Sequence, residues 1–199
     1  MRQEMLSVFT FDELTPEVQE KVLNKHRDWN VQFHDWADYI IEDWKDRLDE
    51  IGFEDAEIFY SGFWSQGDGA CFETKHFNFK KLINHMYENE KKYRHLLKIV
   101  DYLSGTIQRN SFGHHYSHEA TRYVELDLNN YRSTPRLERL VNELEEELED
   151  LRRSLSKEVY SDLEKEYEYQ TSDECLKEIF HCNEMEFFED GTVFDTFSL

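Results

Sequence analysis

From Thr134-Pro135 onward, Leu137, Val141, Leu144, Leu148, Leu151 and Leu155 recur at steps of four, three, four, three and four residues. That is a heptad seam, which keeps to one side of a helix and to neither face of a strand. Proline after a capping threonine marks the helix start, and Val159, Leu163 and Tyr167 carry the pattern on. The spacing predicts one long acidic helix over 135–170. At about 1.5 Å per residue it spans on the order of 50 Å, longer than the body of a domain of this size. Such a helix must project, kink near Ser154 to Ser156, or pair with another chain. A parallel homodimer would set Glu143, Glu145, Glu147 and Glu149 beside their own copies, so the seam is expected to bury within the protomer or in an antiparallel dimer.

Charge sharpens the picture. The 199 residues carry 44 acids and 23 bases, a net of −21. Phosphate binding needs lysine and arginine to displace counterions, so direct DNA binding and attachment to an anionic membrane are both disfavoured. The charge is also bipolar. Residues 35–57 hold ten acids and two bases, residues 135–178 hold fifteen and seven, and residues 184–195 hold five acids and no base. Residues 75–98 reverse the sign, with seven bases against Glu88 and Glu90. Those bases are expected to neutralise acidic helices of the same chain or of a partner subunit.

Length and composition fit one domain, 1–199, with a real core: apolar residues make up 39% and aromatics 15%, with only seven glycines and two prolines. No apolar run is long enough for a leader or a membrane span. Cys71, Cys175 and Cys182 are odd in number and form no CxxC pair, which favours a reducing cytoplasm.

Local patterns divide the chain further. Residues 15–52 are expected to be helical, with helices near 16–29 and 33–51, the second ended by Gly52. Thr10 with Glu13 offers a capping box ahead of them. A hairpin is expected over 56–77 and a basic helix over 79–103 closed by Gly105. An alternating β pair follows over 106–128, then the long helix. A short helix capped by Ser172 and a hairpin turning at Asp190-Gly191 fill 173–197. Strands and helices do not alternate. The predicted class is therefore α+β, a small, mainly antiparallel sheet of hairpins packed with helices.

The first hairpin holds the most unusual residues. Its arms, Ile58 to Ser65 and Ala70 to Phe77, flank Gln66-Gly67-Asp68-Gly69, residue types that supply tight reversals. Phe59, Tyr60, Phe63, Trp64 and Phe72 stand beside Ser61, Ser65, Gln66, Asp68 and Cys71. Asp68 between two glycines suits an Asx-type turn, ahead of a general base or metal ligand. Ser61 and Ser65 lack a nucleophile frame, Gly67 and Gly69 lack the lysine of a phosphate loop, and Cys71 reads as a small buried apolar side chain. The run SGFWSQGDGACF, residues 61–72, resembles the signature of a family of small acidic proteins found mostly in tailed-phage genomes. Phe11 to Leu14, Tyr167 to Glu174, Asn183 to Phe187 and Glu189 to Gly191 resemble other parts of the same proteins. The resemblance implies a phage-type accessory protein, sometimes called antitoxin-like, and carries over no catalytic residues.

A second cluster, His114, His115, His118 and Glu119, lies in the polar loop FGHHYSHEA. His114 and His118 have four-residue spacing, and with Glu119 they are the candidate metal ligands, though the HExxH order is missing. The favoured function is non-catalytic, with no cofactor. A cytoplasmic protein of this kind would bind and inhibit a host defence or nucleic-acid-handling protein through a DNA-mimicking acidic surface. Glu143, Glu145, Glu146, Glu147, Glu149 and Asp150 are its candidate contacts, and the partner is a host protein with a basic surface. The alternative is a metal-dependent enzyme or small-ligand binder that uses the Ser61–Ala70 hairpin or the His114–Glu119 loop.

Overall fold

The computed structural model describes residues 6–87, 93–110, 117–129 and 134–194. The elements in chain order are β1 (Phe9–Thr10), α1 (Pro16–His26), α2 (Asp38–Ile51), β2 (Phe53–Glu54), β3 (Glu57–Ser61), β4 (Gly69–Glu73) and β5 (His76–Phe77). Then come α3 (Phe79–Tyr87), α4 (Tyr93–Leu96), β6 (Leu103–Arg109), β7 (Arg122–Leu128), α5 (Pro135–Gln170), α6 (Asp173–Cys182) and β8 (Glu186–Phe187). The strands form four antiparallel pairs, β1 with β8, β2 with β5, β3 with β4 and β6 with β7. The class is α+β. Contacts fall into two compact units, Met1–Asp38 with Lys165–Leu199, and Tyr39–Glu164.

The first unit is built on aromatic packing. Phe11, Leu14, Val22, Leu23, Leu176, Phe180 and Phe187 form its core, with Phe180 and Phe187 edge to face at 5.5 Å. The capping box forms on a 3-10 turn, where Glu13 Oε2 accepts from the Thr10 amide at 2.8 Å. Ser172 caps α6 by accepting from the Cys175 amide at 3.2 Å. Helix α1 stops at His26, short of the predicted 29.

The second unit holds the two longest strands and most of α5. Helix α2 begins at Asp38, after a 3-10 turn over His34–Ala37, and buries Trp44 and Leu48. Gly52 ends it with a φ of 120°, and a Cβ there would stand 2.8 Å from the Asn78 carbonyl oxygen. Only glycine fits both the left-handed backbone and that approach. On the same unit, the Trp44 indole donates to Asp162 of α5 at 3.1 Å, with the Arg47 guanidinium 3.7 Å above its ring.

Three expectations change here. The predicted 79–103 helix is α3, α4 and a 3-10 turn over Val100–Tyr102, with the stretch 88–92 outside the described residues. Gly105 lies inside β6 rather than closing a helix, opposite Leu126, because the Phe77 ring occupies the space a Cβ would take. The hairpin arms are shorter than predicted. Strand β4 ends at Glu73, Thr74 turns to exchange backbone hydrogen bonds with Ile107, and β5 pairs with β2.

Helix α5 keeps its predicted bounds, but the seam rotates. Val141, Leu144, Leu148, Arg152, Leu155, Val159 and Leu163, with Ser156 beside Leu155, are the positions it buries, while Leu151 is only half-buried. The steps run three, four, four, three, four and four, nearer to 3.6 residues per turn than to the 3.5 of a supercoil.

Candidate functional site

The hairpin motif and the histidine segment meet in the second unit. Strands β3 and β4 pair from Glu57 with Glu73 to Ser61 with Gly69, leaving 62–68 as the connecting loop. Within it Asp68 Oδ2 accepts from the Trp64 amide at 2.9 Å and the Ser65 amide at 2.6 Å. Its carboxylate therefore ties back the loop through amides three and four residues upstream, where an Asx-type turn would take an amide two residues onward. At the base, Ser61 Oγ donates to the Ser117 carbonyl at 3.3 Å. Gly69 faces His118 so closely that a Cβ would lie 2.8 Å from the ring Cδ2 and 3.1 Å from the His118 Cα.

His118 Nδ1 lies 3.1 Å from the Ala120 amide and 3.0 Å from a Glu119 carboxylate oxygen. Neutral, the nitrogen accepts from the amide; protonated, it donates to the carboxylate. His114 lies outside the described residues. Among the described residues no three His, Cys, Asp or Glu side chains converge as a metal set.

Behind this junction is a buried ionic layer. Arg122 is buried with its Nε 2.5 Å from Glu73 and its Nη1 donating to Thr121 Oγ1 at 2.9 Å. Arg152, 0% exposed, donates twice to Glu149, from Nε at 3.0 Å and Nη2 at 2.7 Å. Burial pushes the Cys71 thiol up, against the opposing pull of Arg122, so it stays protonated and serves as packing. Neither arginine was legible as a site residue. The available signal for Arg122 is its register: alternation in 122–128 puts it on the inward face with Val124 and Leu126.

The candidate acids on α5 divide into two sets. Glu149 Oε2 accepts from the Val124 amide at 3.1 Å and Glu145 Oε2 from the Leu126 amide at 2.9 Å. Two carboxylates one helical turn apart thus cover the outer edge of β7, whose amides would otherwise be open to another strand. Burial pushes Glu149 up, but hydrogen bonds and charge from Arg152, then Arg153 and the Val124 amide, hold its carboxyl below the ordinary range. Glu147 is half-buried, and burial raises its carboxyl. Glu143, Glu146 and Asp150 are exposed. Glu146 also lines a shallow groove of about 260 Å³ with Tyr123, Val124, Glu145 and Glu149.

Trp64, Ser65 and Gln66 form the exposed tip of the motif loop, with Trp64 75% exposed. Phe63, next in chain, is buried and stacks on Tyr160 of α5 at 5.5 Å. The loop is therefore held from both sides, by Asp68 within and by Tyr160 beneath.

Fold and site together define an α+β chain with an ionic layer under a pinned aromatic loop and an acidic helical ridge. Residues 36–173, more than two thirds of the chain, match the model of a domain family of unknown function, DUF8835, and the chain belongs to that family. No curated protein and no solved structure matches it. No described helix is long and apolar enough to cross a membrane.

Proposed function

We propose that this chain is a non-catalytic, phage-type accessory protein that binds and inhibits a host protein with a basic surface. The target class is defence or nucleic-acid-handling machinery, and the acidic ridge stands in for DNA. One observation carries the reading. Glu143, Glu146 and Asp150 face solvent at steps of three and four on a single rigid helix, while Glu145 and Glu149 are tied to β7. Regularly spaced carboxylates on a fixed rod complement a basic groove, speed encounter and lose their grip as salt rises. The likeness of residues 61–72 to phage proteins supports the biological setting.

Pull-down from bacterial lysate with the tagged chain, at low and high salt, tests it. A basic, nucleic-acid-handling protein held at low salt, released at high salt and lost with Glu143→Lys, Glu146→Lys, Asp150→Lys supports the reading. Failure to hold any basic protein at low salt sinks it. The contact between Gly69 and His118 favours a second reading, a metal or small-ligand binder at the hairpin and the His118 segment. Stoichiometric metal in the purified protein, lost in His118→Ala, Glu119→Ala, would favour that reading.

A further inference from the structure

The aromatic loop flanks the acidic ridge on α5. At 100° per residue, Glu146 and Glu164 are eighteen residues apart and eclipse one another, Tyr160 falls about 40° to one side, and Asp150 and Glu143 fall about 40° and 60° to the other. The opposite side carries the buried stripe from Val141 to Leu163. Tyr160 is the residue on which the motif loop is stacked through Phe63. Fourteen residues from Glu146 to Tyr160 cover about 21 Å, within the reach of one ordinary protein contact of about 800 Å² per partner.

The backbone that carries the exposed Trp64 is anchored among carboxylates. Asp68 fixes the Trp64 amide at 2.9 Å, and Asp68 and Glu164 both lie near enough to raise the Tyr160 hydroxyl electrostatically, after burial. An indole face attracts a guanidinium or ammonium, more strongly where carboxylates stand beside it. Because Phe63 and Asp68 already hold the loop, little ordering of the backbone remains on binding. Tryptophan at 75% exposure on a pinned loop is the residue type that dominates binding energy at protein interfaces.

Resting on the proposed function, we infer that Trp64 is the aromatic anchor of the partner-binding face, taking an arginine side chain of the same basic partner that lies on Glu143, Glu146 and Asp150. The acids set on-rate and sign selectivity, and the indole holds the complex once formed.

Fluorescence anisotropy with labelled arginine and lysine peptides of about nine residues tests this, since an extended chain of that length spans about 30 Å and reaches both places. At near-physiological salt the wild-type chain binds the arginine peptide more tightly than the lysine peptide. Trp64→Ala weakens the arginine peptide by about three- to thirtyfold, the worth of a cation–π contact, and Trp64→Phe falls between. Unchanged hydrogen exchange at the Ser65 amide in Trp64→Ala confirms that the loop is intact. Equal affinity of Trp64→Ala and wild type overturns the inference. If binding is then still lost in Glu143→Lys, Glu146→Lys, Asp150→Lys, the proposed function stands without the anchor. No peptide binding by the wild-type chain overturns the inference, and the lysate pull-down decides the proposed function separately.

Discussion

The Glu149 carboxylate stands between the Val124 amide, 3.1 Å away, and the buried Arg152 guanidinium, which donates to it at 3.0 and 2.7 Å. One side chain thereby satisfies a strand edge and neutralises a charge with no access to water. Removing it exposes the imbalance. Glu149→Ala leaves Arg152 buried and unpaired, and should destabilise the second unit by about 3–5 kcal/mol in urea denaturation. Replacing both partners, Glu149→Gln with Arg152→Met, should cost less than the single change, because no charge is left stranded. The pH dependence has a definite sign. The Glu149 carboxyl is held below its ordinary value in the folded chain, so its stabilisation is full above the unfolded carboxylate pKa of about 4.3. It is lost as pH falls through the depressed folded value, and Glu149→Gln should flatten that limb of the stability curve.

The first unit carries the opposite kind of group. His26 stacks on Trp29 at 4.7 Å and meets Phe180 edge-on at 6.0 Å, and its Nε2 is buried with no hydrogen-bond partner among the described residues. Burial, then the Lys25 charge, lowers its pKa. A histidine that resists protonation only when folded gives stability that is full above the unfolded value of about 6.5 and declines as pH falls toward the depressed folded one. Protection factors for hydrogen exchange in α1 and α6 should fall as pH drops below about 6.5, and His26→Phe should remove that fall.

The meeting of the two sequence motifs depends on a missing side chain. Gly69→Ala would drive a Cβ into the His118 ring and against its backbone, at 2.8 and 3.1 Å. Overpacking at such a site costs about 1–3 kcal/mol. Thermal denaturation should show that loss, and hydrogen exchange at the Thr121 amide, bonded to the His118 carbonyl at 2.9 Å, should rise. Adding His118→Ala removes the ring but not the backbone contact, so it should recover only part of the stability.

How far the sequence specified this molecule differs by element. The bounds of α5 were legible because a threonine–proline start and an unbroken apolar stripe are local signals. Gly52, Ser172 and the 122–128 alternation were legible for the same reason. The stripe's rotation was not, since a heptad reading chose Leu151 as the apolar residue after Leu148. Helical spacing turns Arg152 inward instead, where Glu149 makes its burial tolerable. The stretch 79–103 reads as one basic helix by its spacing, yet β6 already begins at Leu103, because pairing with Leu128 fixes it from the far side of the chain. The candidate site was half legible. Trp64, Asp68 and His118 stood out by composition, but their junction at Gly69 and the roles of Glu145 and Glu149 depend on tertiary contacts. Spacing along one helix cannot say which carboxylates a strand edge will claim.

The seam itself gives the last expectation. Leu144 and Leu148 are 0% exposed within a single chain, on the same side of α5 as Val141 and Leu155. Burial inside one protomer already removes them from water, so their stabilisation owes nothing to a second copy. Leu148→Ala should therefore destabilise the second unit by about 2–5 kcal/mol, the cost of lost burial plus the cavity left behind. Light scattering should return the same mass for the variant and the parent. Leu144→Glu with Leu148→Glu places two carboxylates in that core without partners, and loss of the fold is the expected result. A dimeric parent that gave a well-folded monomer on the double change would show instead that the seam joins two chains.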